Sequence, residues 1–349
     1  METREFKIQV HITEKCQYKC EHCYLEDKKR KNMSLEQFKE IIDKFVPFCK
    51  ELEKITNTII HPVLHITGGD PLLHPDLRSM LKYCDMKAKV GMLGNPDLIT
   101  EKSVAFMKNS GVRSYQISID GDAKYHEAFR KSKGSYKKSL KALKVLEDGG
   151  IKAVVMYNVK NENLKHIINT YKKIGKLCTR FAFARVVGSK DVFETERYLK
   201  IIKRLLKIEK RYKAAVAKKE PLTSLVTNPC GDLFGGCEAG TFLLTVDSEC
   251  NIYPCSRLPI IIGNTQKDDF LEMFLNNSVL NSIRFDSECK GCKFYNTCRG
   301  CPAVAYSKTG SCTERDPDCL IVQRESGDLA SCDVPAILRT GYFNKWRQS

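Results

Sequence analysis

The chain has 349 residues, of which 42% are hydrophobic and 29% are charged, and its formal net charge is +16. This composition is typical of a folded globular protein, and no apolar run is long enough to span a membrane. The N-terminal stretch METREFKIQV lacks the apolar core of a signal peptide, so we expect a cytoplasmic protein. The excess of Lys and Arg is spread along predicted helices without a nucleic-acid-binding motif, so we expect neither a nucleic-acid nor a membrane partner.

The first two-thirds of the sequence alternates predicted strands and helices. Short apolar or alternating runs predict strands at 4–12, 63–67, 89–93, 114–120, 151–159 and 179–187. Apolar residues at helical spacing predict helices at 34–45, 135–150, near 163–174 and at roughly 193–219. Ser34 and Gln37 have the spacing of a capping box. Six strand–helix units predict an α/β fold with a parallel sheet, curved into a partial (β/α)6 TIM-like barrel.

The composition of the sequence changes at about residue 220. Cysteine, glycine and proline become dense, and helical periodicity weakens except at roughly 268–284. The apolar runs in this tail are too short to build a large core. We therefore predict a barrel domain at 1–219 and a small cysteine-rich domain at 220–349 that metal sites hold together.

Seventeen cysteines are many for a chain expected in the reducing cytosol, where disulfides are disfavoured. Cys16, Cys20 and Cys23 form a C-x3-C-x2-C triplet just after the first predicted strand, at the end of the sheet where barrels place their chemistry. A 4Fe–4S cluster usually has four thiolate ligands, so a triplet leaves one iron open to a ligand from outside the protein. A zinc site or a closed cluster completed by a distant residue is the alternative.

The triplet, together with TGGDPLLHP at 67–75, resembles the radical S-adenosylmethionine (SAM) superfamily. The resemblance implies that the open iron chelates SAM and that an electron from the cluster cleaves its sulfonium C–S bond to give a 5′-deoxyadenosyl radical. Asp70 stands where the family usually has glutamate. By position, the residues implied to bind the cofactor are Gly68, Gly69, Asp70, Pro71, Asn95, Ser118, Asp120, Arg130 and Arg185.

The tail resembles the SPASM extension of peptide- and protein-modifying radical SAM enzymes, which carries two auxiliary iron–sulfur clusters. Carried over by position, the first cluster would use Cys230, Cys237, Cys255 and Cys301. The second would use Cys289, Cys292, Cys298 and Cys319. The gap before Cys301 is one residue shorter than in many relatives, and Cys250, Cys312 and Cys332 have no assigned role. A pair of structural zinc sites is the alternative for the tail.

The resemblance implies hydrogen-atom abstraction from a substrate carbon, followed by oxidation or bond formation. Our leading hypothesis is a maturase that crosslinks or oxidises side chains of a ribosomally made peptide. Its expected partners are that peptide, a separate leader-recognition protein, and an electron donor of flavodoxin or ferredoxin type. The alternatives are an oxidase or maturase of a folded protein or of a small cofactor precursor such as a porphyrin-type carboxylate, and a multi-cluster electron-transfer protein. Ser256 follows Cys255 where sulfatase-maturing relatives carry an aspartate base, so the catalytic acid–base residue stays unknown.

Overall fold

The structure, a computed structural model, describes residues 2–25, 31–189, 191–217, 220–227, 236–290, 292, 294–295 and 297–320. Cys230 and Cys332 lie outside the described residues. Within the described part, ten strands form one sheet: β1 (Thr3–Thr13), β2 (Ile59–Gly68), β3 (Lys89–Leu93), β4 (Val112–Ser118), β5 (Lys152–Val159), β6 (Arg180–Arg185), β7 (Ala215–Val216), β8 (Leu243–Val246), β9 (Asn251–Tyr253) and β10 (Gly263–Asn264).

Helices follow most of the strands. In the described residues they are α1 (Leu35–Thr56), α2 (Leu77–Cys84), α3 (Glu101–Asn109), α4 (Ala123–Arg130), α5 (Ser135–Asp148), α6 (Ile167–Ile174), α7 (Thr195–Glu209), α8 (Pro221–Thr227), α9 (Phe270–Asn276), α10 (Ser278–Asn281) and α11 (Pro302–Thr309). The predicted capping box of Ser34 and Gln37 is confirmed. Helix α1 extends beyond its predicted end because Phe48 and Leu52 continue its buried face. Among the described helices, none combines the length and the apolarity that a membrane crossing requires.

The sheet confirms the predicted α/β class. Strands β1 to β7 lie side by side in chain order and pair in parallel, as βαβ crossovers require. The tail extends this sheet at its other edge, where β8 pairs in parallel with β1 in the register Lys7↔Leu243. Strands β9 and β10 then add in antiparallel orientation.

An aromatic cluster joins the barrel to the tail. Phe6 of β1 packs against Phe48 of α1, with ring centroids 5.0 Å apart, and against Phe274 of α9, with centroids 5.3 Å apart. Phe242, just before β8, contacts the same ring. Since aromatic side chains bury large areas, these contacts hold the tail strands against β1. Because strands β1 to β8 run in parallel, their carboxyl ends lie at one edge of the sheet. The loops that follow these strands meet at that edge.

Candidate active site

The cysteine triplet lies on the loop after β1, and the backbone of the GGDP turn after β2 holds that loop in place. The Gly69 N–H donates to the Thr13 carbonyl at 2.7 Å, and the Asp70 N–H donates to the Lys15 carbonyl at 2.8 Å. The two segments approach so closely that a Cβ atom on Gly69 would lie 2.2 Å from the Lys15 oxygen and 2.8 Å from the Cys16 Cβ. Glycine at this position is therefore a steric requirement of the triplet loop.

We expect Gly69→Ala to displace the triplet loop. The new methyl group has no free space, because its nearest neighbour is the Lys15 backbone, and overpacking of this kind costs about 1–3 kcal/mol. Urea unfolding should show that loss, and 5′-deoxyadenosine formation from SAM should fall strongly. Gly134→Ala is the control, since nothing lies within 4 Å of its Cβ although its φ is +78°. Equal 5′-deoxyadenosine yields from the two variants would show that the close approach is unimportant.

Asp70 and Asn95 meet at the first cysteine of the triplet. The buried Asp70 carboxylate accepts from Gln17 Nε2 at 2.6 Å and from the Leu72 N–H at 3.2 Å. Asn95 Nδ2 lies 3.3 Å from Cys16 Sγ and donates to Gln17 Oε1 at 3.0 Å. Burial raises the pKa of Asp70 to about 6. Gln17, which the sequence analysis did not single out, thus joins the β2 turn, the β3 loop and the triplet.

Asp120 and Arg130 bind each other beside the second cysteine. Arg130 Nε and Nη2 donate to the two carboxylate oxygens of Asp120 at 2.7 and 3.1 Å, and Arg130 Nη1 lies 3.7 Å from Cys20 Sγ. Burial raises the pKa of Cys20, and the charge of Arg130 opposes that shift. Asn158, near the end of β5, also donates to Asp120, through its N–H at 2.9 Å and Nδ2 at 3.0 Å. Its strand-end position was the signal that could have identified it.

The remaining residues of the predicted cofactor set are dispersed. Pro71 is buried and begins a 3-10 turn, and Ser118 is the half-buried last residue of β4. Gly68, with φ of +146°, lies directly under the Thr13 carbonyl, where a Cβ would approach to 2.1 Å. Pro71 and Gly68 therefore shape the turn that carries Asp70.

Arg185 faces the tail. Its buried guanidinium donates through Nε to Glu220 at 2.9 Å, through Nη1 to Asp318 at 2.8 Å and through Nη2 to Asp316 at 2.5 Å. Asp316 in turn accepts from the Cys301 N–H at 3.1 Å. All three nitrogens of the guanidinium thus donate to carboxylates. The geometry therefore favours an architectural role between barrel and tail over the cofactor contact that the resemblance implied.

Three of the four cysteines predicted for the first auxiliary cluster come together in the tail. Cys255 and Cys301 are buried in one apolar cluster, and Cys237 packs against it. The Cys237 thiol donates a hydrogen bond to Cys301, and this bond lowers the pKa of Cys301 to about 6. Cys237, Cys301 and the unassigned Cys312 also line one recess. The fourth predicted ligand, Cys230, lies outside the described residues.

The four cysteines predicted for the second auxiliary cluster line a separate recess. It is bordered by Cys289, Cys292, Cys298 and Cys319. All the described cysteines are free thiols. In the described part of the chain, no three His, Cys, Asp or Glu side chains are close enough to hold a single ion; the thiols border cavities instead. Several thiols around one cavity are a donor set that fits an iron–sulfur cluster. The triplet fits such a cluster as well, because N–H donors lie near Cys16 and Cys20.

Comparison with known proteins identifies the family. A model described as the radical SAM superfamily matches residues 10–174, and SPASM, described as an iron–sulfur cluster-binding domain, matches residues 237–302. The AdoMet-dependent heme synthase of Methanosarcina barkeri is 27% identical over 341 residues, covering 90% of this chain and 95% of that protein. The subtilosin biosynthesis protein AlbA of Bacillus subtilis is 25% identical over 322 residues, covering 86% of this chain and 68% of AlbA.

Solved structures share the fold. Streptococcus suis SuiB bound to S-adenosylmethionine has a TM-score of 0.70 at 17% identity, over 90% of this chain and 77% of SuiB. SuiB bound to its precursor peptide SuiA has a TM-score of 0.65 at 18% identity, over 89% of this chain and 75% of SuiB. Native anSMEcpe with bound AdoMet has a TM-score of 0.68 at 18% identity, over 91% of this chain and 95% of that chain.

The chain belongs to the radical SAM superfamily and carries a C-terminal SPASM domain. It is a radical SAM enzyme, and its cofactors are SAM and 4Fe–4S clusters. The family matches thus favour clusters over the zinc alternatives and an enzyme over a simple electron carrier. The domain boundary at 219/220 and the individual ligand assignments stay predictions.

Proposed function

We propose that the enzyme uses SAM to abstract a hydrogen atom from a carbon of a ribosomally made peptide, and so oxidises or crosslinks that peptide's side chains. The observation that supports the radical site is the convergence of the triplet loop, the GGDP turn and Asn95 at the ends of β1, β2 and β3. The peptide is supported by relatives: AlbA is named for subtilosin biosynthesis, and SuiB binds a precursor peptide.

Cys16, Cys20 and Cys23 would hold the cluster that SAM binds. When bound, this cluster supplies the electron that cleaves SAM. Asn95 Nδ2 and Arg130 Nη1 place N–H groups at Cys16 and Cys20, and such donors orient and stabilise thiolate ligands. These two contacts also explain why the β3 and β4 loops must lie beside the triplet.

Asp70 and Arg130 would receive the amino acid part of SAM. The Asp70 carboxylate accepts from Gln17 Nε2 and from the N–H groups of Leu72 and Asn95. A carboxylate has about four acceptor sites, so the group retains capacity for an ammonium. A nearby ammonium would also favour the ionised form against the burial that raises the pKa of Asp70. Arg130 has N–H groups beyond those given to Asp120, and these can bind a carboxylate.

A second candidate substrate is a tetrapyrrole with carboxylate side chains. This candidate is favoured because three of the curated relatives, at 24–27% identity, are named AdoMet-dependent heme synthases, and the alignments cover 88–95% of those proteins. The same radical site would serve either substrate, so the two candidates differ only in what binds near it.

Substrate-stimulated cleavage of SAM separates these candidates. Anaerobically reconstituted enzyme would be incubated with SAM, dithionite and one of two candidate substrates. The first is a synthetic peptide with the sequence of a precursor encoded beside the gene, and the second is iron coproporphyrin III. We expect the peptide to raise 5′-deoxyadenosine formation. Mass spectrometry should then show that the mass of the peptide has decreased by that of the hydrogen atoms removed. If instead the porphyrin stimulates 5′-deoxyadenosine formation and loses carbon dioxide from its side chains, the tetrapyrrole replaces the peptide as the proposed substrate. A separate leader-recognition protein and a flavodoxin- or ferredoxin-type donor remain part of the proposal for the peptide.

A further inference from the structure

Gln17, the residue after Cys16, connects the cysteine triplet to the turn that carries Asp70. Its Nε2 donates to Asp70 Oδ2 at 2.6 Å, and its Oε1 accepts from Asn95 Nδ2 at 3.0 Å. An ionised carboxylate can only accept and an amide nitrogen can only donate, so these two partners fix the orientation of the Gln17 amide. Its nitrogen faces Asp70, and its oxygen faces Asn95.

The oxygen of Gln17 lies beside the first cysteine of the triplet. Asn95 Nδ2, which donates to this oxygen, also lies 3.3 Å from Cys16 Sγ, so one nitrogen contacts both atoms. A carbonyl oxygen has two lone pairs, and among the described residues Asn95 is the donor that the structure shows to Gln17 Oε1. Gln17 is exposed, so this oxygen can accept a second hydrogen bond from a molecule that binds at the triplet.

The Asp70 carboxylate behind Gln17 is enclosed by the protein. Asp70 is 0% exposed. On the side of the β3 loop, a Cβ atom on Gly94 would lie 2.8 Å from Asp70 Oδ1 and 2.3 Å from the Tyr115 hydroxyl, so no larger side chain fits there. Gln17, by contrast, is exposed and bound to the other carboxylate oxygen. A cation that binds at the triplet therefore meets the Gln17 amide first, with the charge of Asp70 behind it.

We propose that Gln17 binds the amino group of SAM through Oε1, with the buried Asp70 carboxylate supplying the negative charge behind that contact. An ammonium donates strong hydrogen bonds to oxygen atoms, and a carboxylate in a poorly solvated place attracts it further. The bond from Gln17 Nε2 to Asp70 keeps the amide in the orientation that this role requires. The inference rests on one part of the proposed function, that SAM binds at the triplet loop, and on no particular substrate.

The test compares the affinities of two ligands for the anaerobically reconstituted full chain, measured by calorimetry at equal iron content. SAM carries the amino group, whereas 5′-methylthioadenosine lacks the whole amino acid part. We expect Gln17→Ala to weaken SAM binding about tenfold or more, as loss of a hydrogen bond to a charged group does, and to leave methylthioadenosine binding unchanged. Lys19→Ala, which changes an exposed side chain on the same loop, should alter neither affinity.

A longer carboxylate should rescue the variant. Asp70→Glu adds a methylene group, which extends the carboxylate into the space that the Gln17 amide leaves in Gln17→Ala. The double variant should therefore bind SAM more tightly than Gln17→Ala does. Because the two side chains are in contact, the effects of the two substitutions should not add.

Several results would overturn the proposal. Unchanged or tighter SAM binding by Gln17→Ala would show that the amide does not hold the amino group, and so would a double variant that binds SAM no better. Equal losses for both ligands would indicate a general structural change. If Gln17→Ala fails to hold iron, Gln17→Met, which keeps the length of the side chain, replaces it, and iron loss in both would assign Gln17 a purely structural role. Asp70→Ala separates this inference from the proposed function: weak SAM binding there, with normal binding in Gln17→Ala, would refute the role of Gln17 alone.

Discussion

Replacing Cys16, Cys20 and Cys23 together by alanine is expected to abolish 5′-deoxyadenosine formation from SAM. The three thiols share one loop, and Asn95 and Arg130 direct N–H groups at two of them. Without thiolates, the loop has no ligand for the cluster that supplies the electron. Mass spectrometry of reactions with SAM and dithionite should detect product from the wild type and only background from the variant.

The matched control removes a cysteine that has no predicted ligand role. Cys178 is fully buried, and its thiol contacts the Ile174 carbonyl at 3.5 Å. Cys178→Ala should keep 5′-deoxyadenosine formation and differ from the wild type only in stability. The triple variant should still bind iron in its tail, because its ligands there are untouched. Product formation by a triple variant that retains only tail iron would contradict the assignment of the radical site to this loop.

Arg185→Leu is expected to destabilise the protein by about 3–5 kcal/mol, because it leaves buried carboxylates without their counter-charge. Glu220, Asp316 and Asp318 are nearly inaccessible, and all three bind the Arg185 guanidinium. The charge of Arg185 also holds the pKa of Asp316 below its usual range despite burial. Since Asp316 accepts from the Cys301 N–H and lies close before Cys319, the substitution should also reduce iron in both auxiliary sites.

Chemical unfolding and iron analysis of the Arg185→Leu protein measure these two effects. Arg197→Leu is the control, because Arg197 pairs with Glu194 at 2.8 Å on the exposed face of α7. Loss of an exposed ion pair lowers the free energy of unfolding by about 0.5 kcal/mol or less. The iron content of the Arg197→Leu protein should stay at the wild-type level. Similar stability losses in the two variants would mean that the buried network does not join the barrel to the tail.

The barrel could be predicted well because its signals are local. Strands β1 to β6 all overlap their predicted ranges, since alternation of apolar residues reports burial within a few positions. The ends of the helices were harder to place. Helix α7 stops at Glu209, although basic and apolar residues continue at helical spacing beyond it. The seventh parallel strand, β7, has only two residues and carries no usable pattern.

Parts of the candidate site could be predicted for the same reason. The spacing of the triplet and the GGDP turn are short motifs, and each lies at the end of a strand. Asp120 and Arg130 were predicted only as cofactor contacts, and their pairing across ten residues and α4 was not predicted. Similarly, Gln17 contacts Asp70 and Asn158 contacts Asp120 across separate strand–loop units. Their positions in the triplet and at the end of β5 mark them as near the site, but the sequence does not show what they bind.

The sequence alone thus predicted the parallel α/β class and the triplet loop after β1, because both depend on residues that are neighbours along the chain. Only the tertiary structure decided that β8 extends the sheet beside β1, and that Arg185 binds carboxylates as far away as Asp318. The physical reason is that these contacts depend on where distant segments return. Charge pairing and strand docking follow from the packed core, which local periodicity does not encode.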